Sequence, residues 1–159
     1  LCDTPMKPFN YGRLDKTVSR SALPYGTGYQ GLKNDNVTDV VNFRTLRDTE
    51  ANANEKAIFE SLGIKYHHIP SITANPTEEN IVKFLDLTEN VKKRNGKLHI
   101  HCVQGANRTG MYSFIYEVLN GIDSPSSNYQ ELRAMGFDMH KYPNLLTWTC
   151  DFLKKYMKI

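Results

Sequence analysis

Lys97-Leu98-His99-Ile100-His101-Cys102-Val103-Gln104-Gly105-Ala106-Asn107-Arg108-Thr109-Gly110 is the stretch on which the fold turns. Residues 97–101 alternate in the manner of a buried strand, whereas Met111, Phe114, Ile115, Val118 and Leu119 recur at helical spacing. Strand therefore gives way to helix across a few small or uncharged residues, with Gly105 available for a tight turn. A loop between a strand's end and a helix's N-terminus gathers unpaired amides and the positive end of a helix dipole, which together make an anion site. Arg108, at the helix start, adds a planar fork suited to two phosphate oxygens. Cys102 then stands among positive partial charges, the setting in which a thiol's pKa falls from about 8.5 to roughly 3.5–7.5. The expected product is a thiolate at the centre of a phosphate cradle, placed for in-line attack on phosphorus.

On either side of this stretch, short strands alternate with helical segments. That order predicts an α/β fold with a central mixed, mostly parallel sheet flanked by helices. Residues 1–10 read as an extended N-terminal segment, and the extended character continues to about Arg20. A short helix is expected over 26–34, a strand over 37–43, and a helix over 49–62 stopped by Gly63. A strand over 65–69 and a helix over 77–93 follow, the latter packed through Ile81, Phe84 and Leu85. The helix after Arg108 stops at Asn120-Gly121. Ser124-Pro125 then supplies a cap and a first-turn proline for the next one. Leu145, Trp148, Thr149, Phe152, Leu153 and Tyr156 form an apolar stripe at helical spacing, which reads as core. The loop thus lies at the carboxyl end of a central strand, where open α/β sheets bind their ligands.

The chain has 159 residues, enough for one domain with a substantial core, and no linker separates a second one. A net charge of +3 favours anionic ligands in general but is too small to argue for nucleic acid. No apolar run is long enough to span a membrane. Three cysteines, Cys2, Cys102 and Cys150, make no disulfide framework, and a nucleophilic thiol needs reducing surroundings, so a cytoplasm-like compartment is expected. Cys150 falls on the apolar side of its helix and reads as core. No metal-ligand spacing occurs, and neither a metal nor another cofactor is expected. The chain opens on Leu1 rather than Met, which points to an upstream segment processed or trimmed.

The string at His101, Cys102, Gly105, Arg108, Thr109 and Gly110 resembles the signature H-C-x5-R-[ST]-G of the cysteine-dependent protein tyrosine and dual-specificity phosphatases. Arg20-Ser21-Ala22-Leu23-Pro24, Leu32-Lys33, residues 37–44 and Gly63-Ile64-Lys65-Tyr66 extend the likeness to small bacterial and plant members. The resemblance implies that Cys102 is the nucleophile and forms a phosphocysteine. It implies that Arg108, with the amides of Val103, Gln104, Gly105, Ala106 and Asn107, holds the phosphoryl oxygens. Thr109 would hydrogen-bond the cysteine sulfur, and His101 would orient the loop and help keep the thiol ionised. Expected partners are a phosphorylated protein or a small phosphoester, with phosphate, vanadate or sulfate also fitting the loop.

One element of that family is missing. Members carry an aspartate on an earlier loop to protonate the leaving oxygen, a function worth about 10²–10⁴ in rate. Here the stretch Ile69-Pro70-Ser71-Ile72-Thr73-Ala74-Asn75-Pro76-Thr77-Glu78-Glu79 contains no Asp, and Ile72 or Thr73 stands in its place. Glu78 or Glu79 could substitute, although Asn75 and Glu78 also read as a helix cap and its reciprocal partner. The leaving group could need no proton, as in a phosphoanhydride. The protein could also bind phosphate and turn it over poorly, as an adaptor. The uncharged side chains at Val103, Gln104, Ala106 and Asn107 argue against a highly phosphorylated inositol headgroup. The run from Gly105 to Gly110 is similar to the loop of cysteine-type RNA 5′-triphosphatases, the main alternative activity. A sulfur-transfer or arsenate-reducing protein is a further alternative, for which no resolving cysteine is suitably placed. His67 and His68 read as packing or surface residues, and Arg44 as an ion-pair partner of Asp48 or Glu50 or a border of the substrate. Tyr11, Tyr25 and Tyr29 could form a cleft wall.

Overall fold

The computed structural model describes residues 7–158; the readings of Leu1 and Cys2 lie outside the described residues. Five strands and six α-helices follow one another as β1 (Gly12–Arg13), β2 (Val18–Ser21), α1 (Gly28–Asn34), β3 (Asp39–Asn42), α2 (Thr49–Ser61), β4 (Lys65–His68), α3 (Glu78–Lys93), β5 (Leu98–His101), α4 (Arg108–Leu119), α5 (Pro125–Ala134) and α6 (Pro143–Met157). A 3₁₀ turn, Leu46–Asp48, leads into α2. The strand order is β1-β2-β5-β3-β4; only β1 runs antiparallel to its neighbour. The expected mixed, mostly parallel sheet is therefore present.

Register brings the functional ends together. Ser21 pairs with His101, Asn42 pairs with His101 from the other side, and Asn42 also pairs with His68. Four parallel strands thus finish level, and the loops that leave them share one edge of the sheet. Parallel strands buried on both faces should read as apolar runs. β5 instead alternates, because its two faces meet different layers. Leu98 and Ile100 join the larger core with Phe84, Ile115 and Leu153. His99 and His101 face the other way. The fully buried His99 is bracketed by Ser19 Oγ (2.8 Å) and Ser21 Oγ (2.7 Å) on β2. Burial, with His101 and nearby cations adding to it, holds His99 well below the usual imidazole range, so it is neutral. Leu32, Val40, Phe59 and Ile64 form a second, smaller core between α1, α2 and the sheet.

Most expected elements form, with local differences. The stretch before Arg20 is not simply extended: it contains the β1–β2 pair, whose strands are too short and polar to show periodicity. The cap of α3 is Thr77, which accepts from the Asn80 amide at 3.2 Å; Asn75 instead donates its N–H to Ile72 within the preceding turn. Ser124 caps α5 as read, accepting from Ser127 N–H. Cys150 is half-buried, not core, because it lies at the margin of the α6 stripe.

Candidate active site

Residues 102–107 connect β5 to α4, and their hydrogen bonding explains what they enclose. The carbonyl of Val103 accepts from Leu23 N–H at 2.8 Å. The carbonyls of Gln104 and Gly105 accept from Asn10 Nδ2 at 3.3 and 3.4 Å, and Gly105 also from Arg20 Nη2. None of the amides of residues 103–107 donates to a protein acceptor among the described residues. Each peptide carries one donor and one acceptor, so carbonyls committed outward leave the N–H groups for the loop's own hollow. Gly105 makes this turn possible: its φ is +73°, and a Cβ there would lie 2.6 Å from Ala22 N.

Cys102, Val103, Gln104, Asn107 and Arg108 line one cavity of ≈190 Å³, together with Thr73, Lys141 and Tyr142. Cys102 is 3% exposed. Gly105 shapes the turn rather than the wall, and Ala106 faces a second cavity of ≈600 Å³ behind the loop with Phe9, Leu23 and Tyr25. The guanidinium of Arg108 is aimed by two carbonyls, since Nη1 donates to Phe43 O (3.4 Å) and Ser71 O (3.3 Å). Those two residues are themselves fixed. The Tyr112 ring stacks on Phe43 at 3.9 Å, and its hydroxyl meets Ser71 Oγ at 2.8 Å; burial pushes that phenol up to about 12.

His101 and Thr109 sit behind the cavity. His101 Nδ1 donates to Cys102 O at 3.0 Å, and Nε2 is hydrogen-bonded with Glu55 Oε1 at 2.5 Å. Glu55 also accepts from Arg44 Nη2 at 2.9 Å, and all three side chains are buried. A carbonyl can only accept, so Nδ1 carries the proton it shares with Cys102 O, and Nε2 is tied to the Glu55 carboxyl group. Arg44 is thus an ion-pair residue, and its partner among the described residues is Glu55 rather than Glu50, because α2 turns Glu55 inward under the sheet; the side chain of Asp48 lies outside the described residues. The expected bond from Thr109 to sulfur is not made: Thr109 Oγ1 is fully buried and has no partner among the described residues.

The other candidates divide clearly. Glu78 pairs with Lys155 at 3.0 Å and Glu79 with Lys83 at 3.2 Å, away from the cavity. His67 bonds Asp39 and His68 bonds Arg44 O, both structural. Tyr11 bonds Asp35, Tyr29 packs on Phe59, and Tyr25 alone faces a cavity near the loop. Lys141, Tyr142, Arg20 and Asn10 were not legible as site residues. Lys141 and Tyr142 arrive from the α5–α6 loop, far along the chain, and only the Tyr142-Pro143 helix start marks their neighbourhood. The cavity also opens toward a cleft of ≈800 Å³ that shares Thr73, Arg108 and Tyr142 and adds Leu46, Arg47 and Ile72.

A family model described as polymorphic toxin system, DSP-PTPase phosphatase matches residues 16–121, which hold β2 through α4. No curated protein sequence matches the chain. Three solved structures share its fold. TpbA of P. aeruginosa has a TM-score of 0.74 at 22% identity, covering 95% of this chain and 92% of that one. PTPMT1 in complex with PI(5)P has a TM-score of 0.76 at 20% identity, covering 93% and 97%. The core catalytic domain of the PP-IP phosphatase Siw14 from S. cerevisiae has a TM-score of 0.70 at 20% identity, covering 84% and 80%. Since the matched span is the part of the chain that builds the loop, its strand and its helix, this protein belongs to the DSP-PTPase phosphatase family of polymorphic toxin systems.

Proposed function

We propose that this phosphatase hydrolyses phosphomonoesters through a phosphocysteine on Cys102, acting on phosphotyrosine and more slowly on phosphoserine and phosphothreonine. The observation that carries the reading is the loop's hydrogen-bond accounting. Carbonyls of Val103, Gln104 and Gly105 are taken from outside, while the amides of residues 103–107 have no protein acceptor among the described residues, and Val103, Gln104 and Asn107 border the cavity that holds Cys102 and Arg108. Such a ring of donors, closed by a guanidinium, stabilises the charge of a phosphoryl group in flight. Cys102 attacks as the thiolate, the ester oxygen departs, and water later releases phosphate and restores the sulfur. The buried Thr109 hydroxyl is then a free donor for the departing sulfur. His101, bonded to the Cys102 carbonyl and to Glu55, holds the loop's first residue in place. TpbA has been solved with pTyr and PTPMT1 with PI(5)P, which supports a phosphorylated ligand in the same fold.

Cys102→Ser should abolish turnover of an aryl phosphate while vanadate still binds. Turnover near that of the unaltered protein would reject the mechanism. One observation favours a second reading, a phospho-binding adaptor: no Asp or Glu lines the cavity among the described residues. Steady-state hydrolysis of an aryl phosphate by the unaltered chain separates the two.

A further inference from the structure

A monoester whose oxygen leaves without a proton must depart as an alkoxide or phenolate, and alkoxides are poor leaving groups. Among the described residues, the cavity offers no carboxylic acid to supply that proton. Thr73 occupies the loop from which one would reach, and Glu78 and Glu79 are held elsewhere by lysines. Asp138, on the α5–α6 loop, does not line the cavity. Its Oδ1 accepts instead from the amides of His140 (3.1 Å) and Lys141 (2.9 Å).

What that loop delivers to the cavity is a cation. The Asn107 Oδ1 of the cradle accepts from Asp138 N–H at 2.8 Å. Asp138 then folds the loop, its carbonyl also accepting from Tyr142 N–H at 3.1 Å. Lys141 is thereby anchored to the same loop that carries Cys102 and Arg108, and it lines the same ≈190 Å³ cavity. Arg108 continues into the adjoining ≈800 Å³ cleft, to which Arg47 adds a further cation. Three cations therefore border two adjoining cavities whose linings, among the described residues, include no carboxylate.

Cations without a carboxylic acid beside them suit a leaving group that departs already ionised and needs its charge met. A phosphate is such a group. We infer that the preferred substrates are phosphoanhydrides, a terminal phosphoryl group carried on a second phosphate, and that Lys141 meets the departing phosphate. The inference rests on the phosphocysteine reading. The sulfur of Cys102 forms a bond to the terminal phosphorus as the bond to the bridging oxygen breaks. That electron pair stays on the bridging oxygen, and the second phosphate leaves as its anion beside Lys141 with no proton transferred. Water then forms a bond to phosphorus as the sulfur–phosphorus bond breaks, returning the thiolate and giving its proton to solvent.

The test compares kcat/KM for inorganic triphosphate, p-nitrophenyl phosphate and a phosphoserine peptide, without divalent cations that would mask the charge. Triphosphate and the aryl ester should turn over, with the phosphoserine peptide slower by about 10²-fold or more, the contribution an absent acid forfeits. Lys141→Met should lower kcat/KM for triphosphate by roughly 10-fold more than it lowers that for the aryl ester, and Lys141→Arg should largely rescue the difference. Equal losses on both substrates would reduce Lys141 to a structural residue and overturn the inference. So would phosphoserine hydrolysis as fast as aryl hydrolysis that collapses in Asp138→Asn, since Asp138 would then be a proton donor. If aryl phosphate is not hydrolysed and vanadate does not inhibit, the phosphocysteine reading falls, and this one with it. Aryl turnover with triphosphate left intact rejects this one alone.

Discussion

Glu117 is a carboxyl group whose titration the fold strongly disturbs within reach of the loop's supports. It is 4% exposed on α4, and Asn128 Nδ2 donates to it at 3.2 Å. Burial, with the Glu131 carboxylate beside it, pushes Glu117 up to about 8, against a smaller pull downward from Arg20. The folded chain therefore keeps a proton that the unfolded chain has already released. Its full contribution to stability is present below the ordinary value of 4.5 and is lost as pH rises through about 8. Across that window stability should fall, by at most about 1.4 kcal/mol per pH unit from this group. Urea unfolding at a series of pH values should show the decline, and Glu117→Gln should flatten it. A decline of the same steepness in the variant would remove Glu117 as its source.

Among elements, β2 is the one whose role the sequence conceals. Its four residues, Val18-Ser19-Arg20-Ser21, are all buried, yet three are polar. Arg20 is 1% exposed, donates to the Gly105 carbonyl, and has an Nε without a partner among the described residues. Burial lowers its guanidinium from the ordinary value, and the surrounding acids and Cys102 oppose that. Period-two patterning assumes that buried means apolar, so a strand that buries an arginine to hold a loop does not read as a strand. The β5–loop–α4 unit was legible for the opposite reason: its turn, cap and apolar spacing all agree. Arg20→Met should leave the fold intact by circular dichroism and lower kcat on an aryl phosphate by about 10²-fold, the cost of a loosely held reacting group. An unchanged kcat would mean that Asn10 alone suffices to orient the loop.

At the level of the whole molecule, the cavity is assembled from places remote in the chain: Thr73 after β4, Cys102 and Arg108 around the turn, Lys141 and Tyr142 before α6. Local patterns recover the turn, because the cysteine and arginine lie within one strand–helix connection. They cannot recover Lys141, whose position depends on how α5 and α6 return to the sheet edge. Nor can they find Glu55, which meets His101 only because α2 packs against the sheet and turns that side chain toward β5. β5 itself lies third of five strands, hydrogen-bonded along its length to β2 on one side and β3 on the other. A strand in that position has no free rim from which to fray, and its release demands that both halves of the sheet separate. Thermal loss of aryl phosphate turnover should therefore superimpose on loss of the far-ultraviolet dichroism signal; inactivation several degrees earlier would show the loop disengaging by itself. For anyone heating or storing this enzyme, residual activity would then serve as a direct assay of the fraction of molecules still native.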